Sequence, residues 1–252
     1  MKLSFLILLC LISKPVFAET TSDSLSHYES FYNAMEPAIE NGPEAFVCYM
    51  DVPHPLFNVV MHLCCENVRE KVEAILERVP NEKPISFWIH PQNRAPGLVE
   101  ILQEKGWGSL ITCPLFSWQV EPRADVNADI RRADMDIFHE ILANVYGLDD
   151  SVKRAYEKIM EKLDLENYLI YENGVPIGTA TLFVKGSIGG IFNDATIPGR
   201  REATSAMTEF LMRRSAELQL KELVLLSSPE GEELYGDLGF TKVFDIEIYS
   251  QL

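Results

Sequence analysis

The chain has no cysteine beyond Cys113, no C-x-x-C pair, no basic run longer than two residues and no apolar stretch of about 20 residues. Each absence removes a class of function. Without a cysteine, the second half has no thiol nucleophile. Without paired C-x-x-C ligands, a structural zinc site is not expected. A protein that holds a phosphate backbone needs a basic footprint, so nucleic acid is not an expected partner. A bilayer-spanning helix needs about 20 apolar residues, so no membrane partner is expected once a leader is removed. The sequence also lacks a Walker loop, a G-x-S-x-G elbow and an H-E-x-x-H pair, which removes the reactions those motifs support.

What is present is an ordinary globular composition: 252 residues, 47% hydrophobic and 24% charged, with a net charge of −16. That length suits one large domain or two of ordinary size. The acidity weakens attraction to anionic membranes and favours cationic substrates such as amines by long-range steering. It serves solubility equally well.

The first 18 residues have the parts of a secretory leader: Lys2, the apolar run 3–12, then Val16-Phe17-Ala18. Cleavage after Ala18 would remove two lysines and no acid, taking the charge from −16 to −18. The expected location is therefore secreted or periplasmic. Cys48, Cys64, Cys65 and Cys113 would remain. Four cysteines permit three pairings, but the adjacent Cys64 and Cys65 point to opposite faces of a strand, and buried free thiols are the simpler reading.

Residues 19–30 are polar and read as a mobile lead-in. Residues 31–120 alternate strand-like and helix-like stretches: strands at 45–50, 57–64 and 85–89, helices at 66–79 and 97–105, and a strand at 110–120 interrupted by Pro114. The polar segment 121–125 marks a boundary between units at 19–122 and 123–252. The second unit reads β-α-α-β-β-β-α-β-α-β, a mixed α/β order. Its hairpin turns at Asn173-Gly174, and its long helix, 201–219, carries Ala203, Ala206, Met207, Phe210 and Leu211 on one face.

Two segments in this unit carry chemistry. Strand residues Asn193, Asp194, Ala195, Thr196 and Ile197 run through Pro198-Gly199 into Arg200-Arg201 and the long helix. A helix start reached in this way offers free amides and a positive dipole end to a phosphate. About thirty residues later comes Leu234-Tyr235-Gly236-Asp237-Leu238-Gly239-Phe240.

In this order and spacing, residues 129–250 resemble the GNAT superfamily of N-acetyltransferases. That family has a strand leading into an R-x-x-G-x-G/A loop at a pyrophosphate-binding helix, and later an L-Y-x-x-L-G-F segment, which is complete here. Phe87 to Pro91, Leu98, Leu102 and Gly106-Trp107 resemble the matching parts of a second, degenerate half. The resemblance implies an α/β GNAT fold, a mixed central sheet flanked by helices, with a C-terminal copy and an eroded N-terminal one. It further implies acetyl-CoA as co-substrate and a small-molecule or peptide amine as acceptor. Ala195, Thr196, Ile197, Arg200, Arg201, Ala203, Thr204 and Ser205 would hold the cofactor, and a bulge near Asn193 would open the sheet for its pantetheine arm. Tyr235 would protonate the leaving thiolate; Asp194 departs from the family, where that strand position is commonly apolar, and is a candidate general base. Both have plainer readings, a half-buried aromatic and a surface charge. Ser227 and Ser228 read either as substrate contacts or as caps.

The loop departs from the family pattern. Glu202 and Thr204 stand where glycines are usual, and the alternative register puts Ala203 and Ser205 there. Side chains at those positions hinder backbone approach to phosphates. A catalytically inactive, exported GNAT-fold binding or interaction protein is therefore the alternative expectation.

Overall fold

The computed structural model describes residues 17–50, 52–79 and 84–251, with side chains from residue 24 onward. The leader read over residues 1–18 lies outside the described residues except for its last two, which open the first helix. That helix, α1 (Phe17–Met35), corrects the expected mobile lead-in at 19–30. Its apolar residues are sparse but share one face. Leu25, Tyr28, Phe31 and Met35 recur at spacings of three and four and are all buried, which is enough for a helix when a sheet is there to receive them.

The chain continues through β1 (Glu40–Asn41), β2 (Ala45–Tyr49), β3 (Asn58–Leu63), α2 (Val68–Arg78), β4 (Ser86–Ile89), α3 (Leu98–Glu104) and β5 (Trp107–Gln119). It then forms β6 (Asp129–Arg132), α4 (Met135–Tyr146), α5 (Asp150–Met160), β7 (Glu166–Glu172), β8 (Val175–Lys185), β9 (Ile188–Thr196), α6 (Arg201–Glu217), β10 (Glu222–Leu226), α7 (Glu232–Asp237) and β11 (Thr241–Gln251). Local chemistry sets many of the ends. Asp134 and Asp149 accept amide hydrogen bonds at the starts of α4 and α5, and Gly147 closes α4 in the left-handed region at φ 64°. Asn173 and Gly174, both at positive φ, make the tight turn between β7 and β8. The interruption expected at Pro114 does not occur. Strand β5 passes straight through it at the point where β10 ends opposite Leu115, and Ser227 donates its amide to the Pro114 carbonyl.

Among the described residues eleven strands form one mixed sheet in the order β1-β2-β3-β4-β11-β5-β10-β9-β8-β7-β6. The succession β2-β3-α2-β4-α3-β5 recurs as β8-β9-α6-β10-α7-β11, with the same antiparallel and then parallel pairings. The last strands of the two successions pair with each other and exchange places: β5 pairs with β11 and β10, and β11 with β4, all antiparallel. Period-two alternation then fills two faces. Phe46, Cys48, Met61 and Val224 meet α1, α4 and α5 in one continuous core. On the opposite face Val47, Val60 and Phe87 meet α2 and α3, while Leu182, Leu223 and Leu225 meet α6 and α7. The product is an α/β sheet with helices on both sides.

Helix α1 is fitted closely to this sheet. A methyl group on Gly190 of β9 would lie 2.6 Å from His27 Nε2, and Phe31 stacks on Phe192 with ring centroids 3.7 Å apart. Glu29 pairs with His62 of β3, whose other ring nitrogen meets the Gly42 carbonyl. The four described cysteines are free; Cys48 and Cys113 are buried, and the Cys48 thiol donates to the carbonyls of Tyr32 and Glu36.

Candidate active site

Strands β9 and β10 pair in parallel only from Ile188 opposite Glu222 to Ile191 opposite Leu225. Beyond that point β9 carries an extra residue. Thr179 faces Ala195 and Thr181 faces Phe192, so Asn193 and Asp194 together oppose Ala180, and Asn193 has φ 52°. Such a bulge bends the strand and ends its pairing. The expected opening therefore exists, and a cavity of about 790 Å³ passes through it.

Of the residues singled out in the sequence, Asp194, Ala195, Thr196, Ile197, Arg200, Arg201, Thr204 and Tyr235 line this one cavity. Ala203 and Ser205 do not; Ala203 packs against the core beneath α6. Glu202, the carboxylate placed where a glycine was expected, is exposed and outside the cavity lining. Thr204 does face the opening, and its hydroxyl shares a 2.7 Å hydrogen bond with that of Thr196. At the start of α6 the Ala203 and Thr204 amides bond the Arg200 carbonyl, and the amides of Arg201 and Glu202 have no protein partner among the described residues. The two arginines are engaged in exposed ion pairs, Arg200 with Glu172, and Arg201 with Glu233 and Asp237. Exposed pairs of this kind are worth little and exchange readily, so either guanidinium is available to an anion.

The centre of the cavity holds a directly bonded pair. The Tyr235 hydroxyl donates to Asp194 Oδ2 at 2.7 Å, and Asp194 Oδ1 is shielded from solvent with no partner. Burial raises the Asp194 carboxyl to about 6, and the Tyr235 hydrogen bond offsets part of that rise. Burial also holds Tyr235 well above its ordinary value, and the nearby Asp194 charge pushes it the same way. Near neutrality the pair is thus a phenol donating to a carboxylate that titrates close to working pH. The bulged backbone is capped by side chains. Thr179 donates to the Asn193 carbonyl at 2.7 Å and Tyr146 to the Asp194 carbonyl at 2.9 Å. The Tyr156 hydroxyl donates to Asn193 Oδ1. Ser227 and Ser228 line the cavity, with Ser227 Oγ turned back on the Ser228 carbonyl as a local cap.

Sequence reasoning missed the other end. The cavity runs beneath α1, where Tyr28, Phe31, Tyr32 and Met35 meet Trp88 of β4 and Ile248 of β11. These residues lie far apart in the chain and share no motif. The signal that α1 contributes was its helical spacing of aromatic residues. Tyr146 and Tyr156, on α4 and α5, reach the site for the same topological reason.

No protein-family model and no curated protein sequence matches the chain. Solved structures do match. A GCN5-related N-acetyltransferase from Kribbella flavida aligns over 93% of this chain and 95% of its own, at 16% identity and a TM-score of 0.63. One from Sphaerobacter thermophilus aligns over 72% of this chain and 64% of its own, at 14% identity and a TM-score of 0.55. Saccharomyces cerevisiae N-myristoyltransferase, solved with bound myristoyl-CoA, aligns over 82% of this chain and 63% of its own, at 12% identity and a TM-score of 0.55. The chain has the GNAT fold.

Proposed function

We propose that the chain transfers an acyl group from a CoA thioester to an amine, acetyl-CoA being the simplest donor. The observation that carries this is the Tyr235–Asp194 pair, set in the opening between β9 and β10 beside the start of α6. The phosphates would meet the Arg201 and Glu202 amides with Arg200 or Arg201, and the pantetheine arm would enter the opening. The neutral amine nitrogen attacks the thioester carbonyl, and Asp194 takes its N–H proton as the carbon–nitrogen bond forms. As the carbon–sulfur bond breaks, Tyr235 gives its proton to the thiolate, and Asp194 returns its own to Tyr235. One amide and one thiol result, and both protons are accounted for. The repeated strand and helix succession supports reading the first half as an eroded copy that lends β5 and supplies the far end of the cavity.

Titration calorimetry with acetyl-CoA, followed by detection of free thiol with a panel of small amines and peptide N-termini, tests the proposal. No heat at millimolar ligand would exclude it and favour the exported, non-catalytic alternative. The Tyr146 hydroxyl donates to the Asp194 carbonyl, and Tyr146 is the most exposed of the capping residues. Tyr146→Phe removes that competitor. Coenzyme A binding is expected to tighten severalfold, the size of one ordinary hydrogen bond, measured in the same calorimeter.

A further inference from the structure

The cavity has a polar end and an apolar end. Its polar portion runs from Thr204 and Arg200 to Asp194 and Tyr235. Beyond Asp194 the same cavity continues across the sheet to the face covered by α1. There its wall is built from Tyr28, Phe31, Met35, Trp88, Ile111 and Ile248. None of these is charged. The two tyrosine hydroxyls near this end are engaged, Tyr32 donating to the Leu56 carbonyl at 2.7 Å and Tyr28 hydrogen-bonded to the Leu226 backbone, so both present their rings. Strands of both successions and α1 meet here, and the whole volume, about 790 Å³, lies within the range of sites that enclose a ligand much larger than acetyl.

Resting on the acyl-transfer reading above, we infer that the apolar end beneath α1 takes the hydrocarbon chain of the donor, and that the preferred donor is an acyl-CoA of medium or greater length. A thioester whose carbonyl sits beside Asp194 and Tyr235 has its acyl chain continuing the line of the pantetheine arm through the sheet, into this wall. The charged end of the cavity lies behind it. An acetyl group leaves the wall uncovered, and each added methylene moves from water into aromatic and aliphatic contact.

The test is binding of acetyl-, hexanoyl- and decanoyl-CoA to the purified full chain by calorimetry. The fluorescence of Trp88, whose Nε1 has no hydrogen-bond partner in the wall, provides a second readout. Affinity is expected to rise about fourfold per methylene, on the order of a hundredfold from acetyl to hexanoyl. Ile111→Phe, which adds bulk to a half-buried position on the wall, is expected to leave acetyl-CoA binding intact and abolish most of the gain. Equal affinity across the series, with acetyl-CoA bound normally, would overturn the inference while leaving acyl transfer standing. The apolar end would then belong to the acceptor. A gain that persists unchanged in folded Ile111→Phe would also overturn it. Should that variant fail to fold, the series on the unaltered chain decides alone. Failure of every thioester to bind would remove the acyl-transfer reading and this inference together.

Discussion

Replacing Tyr235 by phenylalanine should lower turnover with an acyl-CoA and a competent amine by about a hundredfold or more, the usual contribution of a positioned proton donor. The ring is buried and packs near Phe116 and Phe240, so Phe keeps the shape and removes one oxygen. Thioester binding should be almost unchanged, which places the loss in kcat. The pH profile supplies a readout that a packing role would not move. With Asp194 titrating at about 6, the rate should climb roughly tenfold per pH unit below 6 and level off above it. Tyr235 is the donor that holds this carboxyl down, so in Tyr235→Phe the midpoint of the residual activity should shift upward. Asp194→Asn keeps an acceptor for the phenol and removes the titration; its residual rate should lose the rise centred near 6. An unchanged profile in that variant would take Asp194 out of the mechanism.

Stability checks the same pair from another side. The folded Asp194 pKa is raised above the ordinary carboxyl value of 3.8. Between about 4 and 6 the native state therefore binds more protons than the unfolded chain, and stability falls as pH rises through that window. Urea melts should show Asp194→Asn lacking this decline.

How far this site was legible in the sequence follows from the range of the interactions that make it. Elements built from neighbours in the chain could be read directly. The Asn173-Gly174 hairpin and the strand-to-helix passage from Asn193 to α6 each rest on contacts within a few residues. The bulge near Asn193 was expected from the family resemblance and not from the residues of the segment that bends. The pairing of Tyr235 with Asp194 spans 41 residues. The sequence supplied both partners but not their bond, which exists only because β9 and α7 meet over the gap. The two glycine-position departures look alike in the sequence and differ in space, Glu202 outside the cavity and Thr204 hydrogen-bonded within it. Pro114 was misread because a proline argues against a central strand, and only the end of β10 beside it explains why this one is accommodated. The aromatic end of the cavity was invisible for a deeper reason. Trp88 and Ile248 become neighbours when β11 inserts beside β4, and no local pattern encodes an insertion of that kind.

Phe31→Ala should be among the most destabilising single changes in the chain, costing about 3–5 kcal/mol. Phe31 directly follows the segment 19–30 that reads as a polar lead-in and shares its helix; it is 3% exposed, stacked on Phe192 and 5.3 Å from Phe183 between ring centroids. Its loss opens a cavity in the core that joins α1 to β8 and β9. For a domain of this size the melting temperature should fall on the order of 10 °C. Ser26→Ala, on the exposed face of the same helix, should stay within about 0.5 kcal/mol. If the segment were only a tether behind a leader, both variants would melt alike, and α1 would have no part in the cavity roof. The two roles do not compete along the chain. Cleavage after Ala18 would leave Leu25, Tyr28, Phe31 and Met35 in place, so an exported chain would keep these buried residues of α1. The same experiment on a chain begun at Glu19 should therefore give the same difference between Phe31→Ala and Ser26→Ala. A collapse of that difference would mean that the turn before Glu19 is what docks the helix.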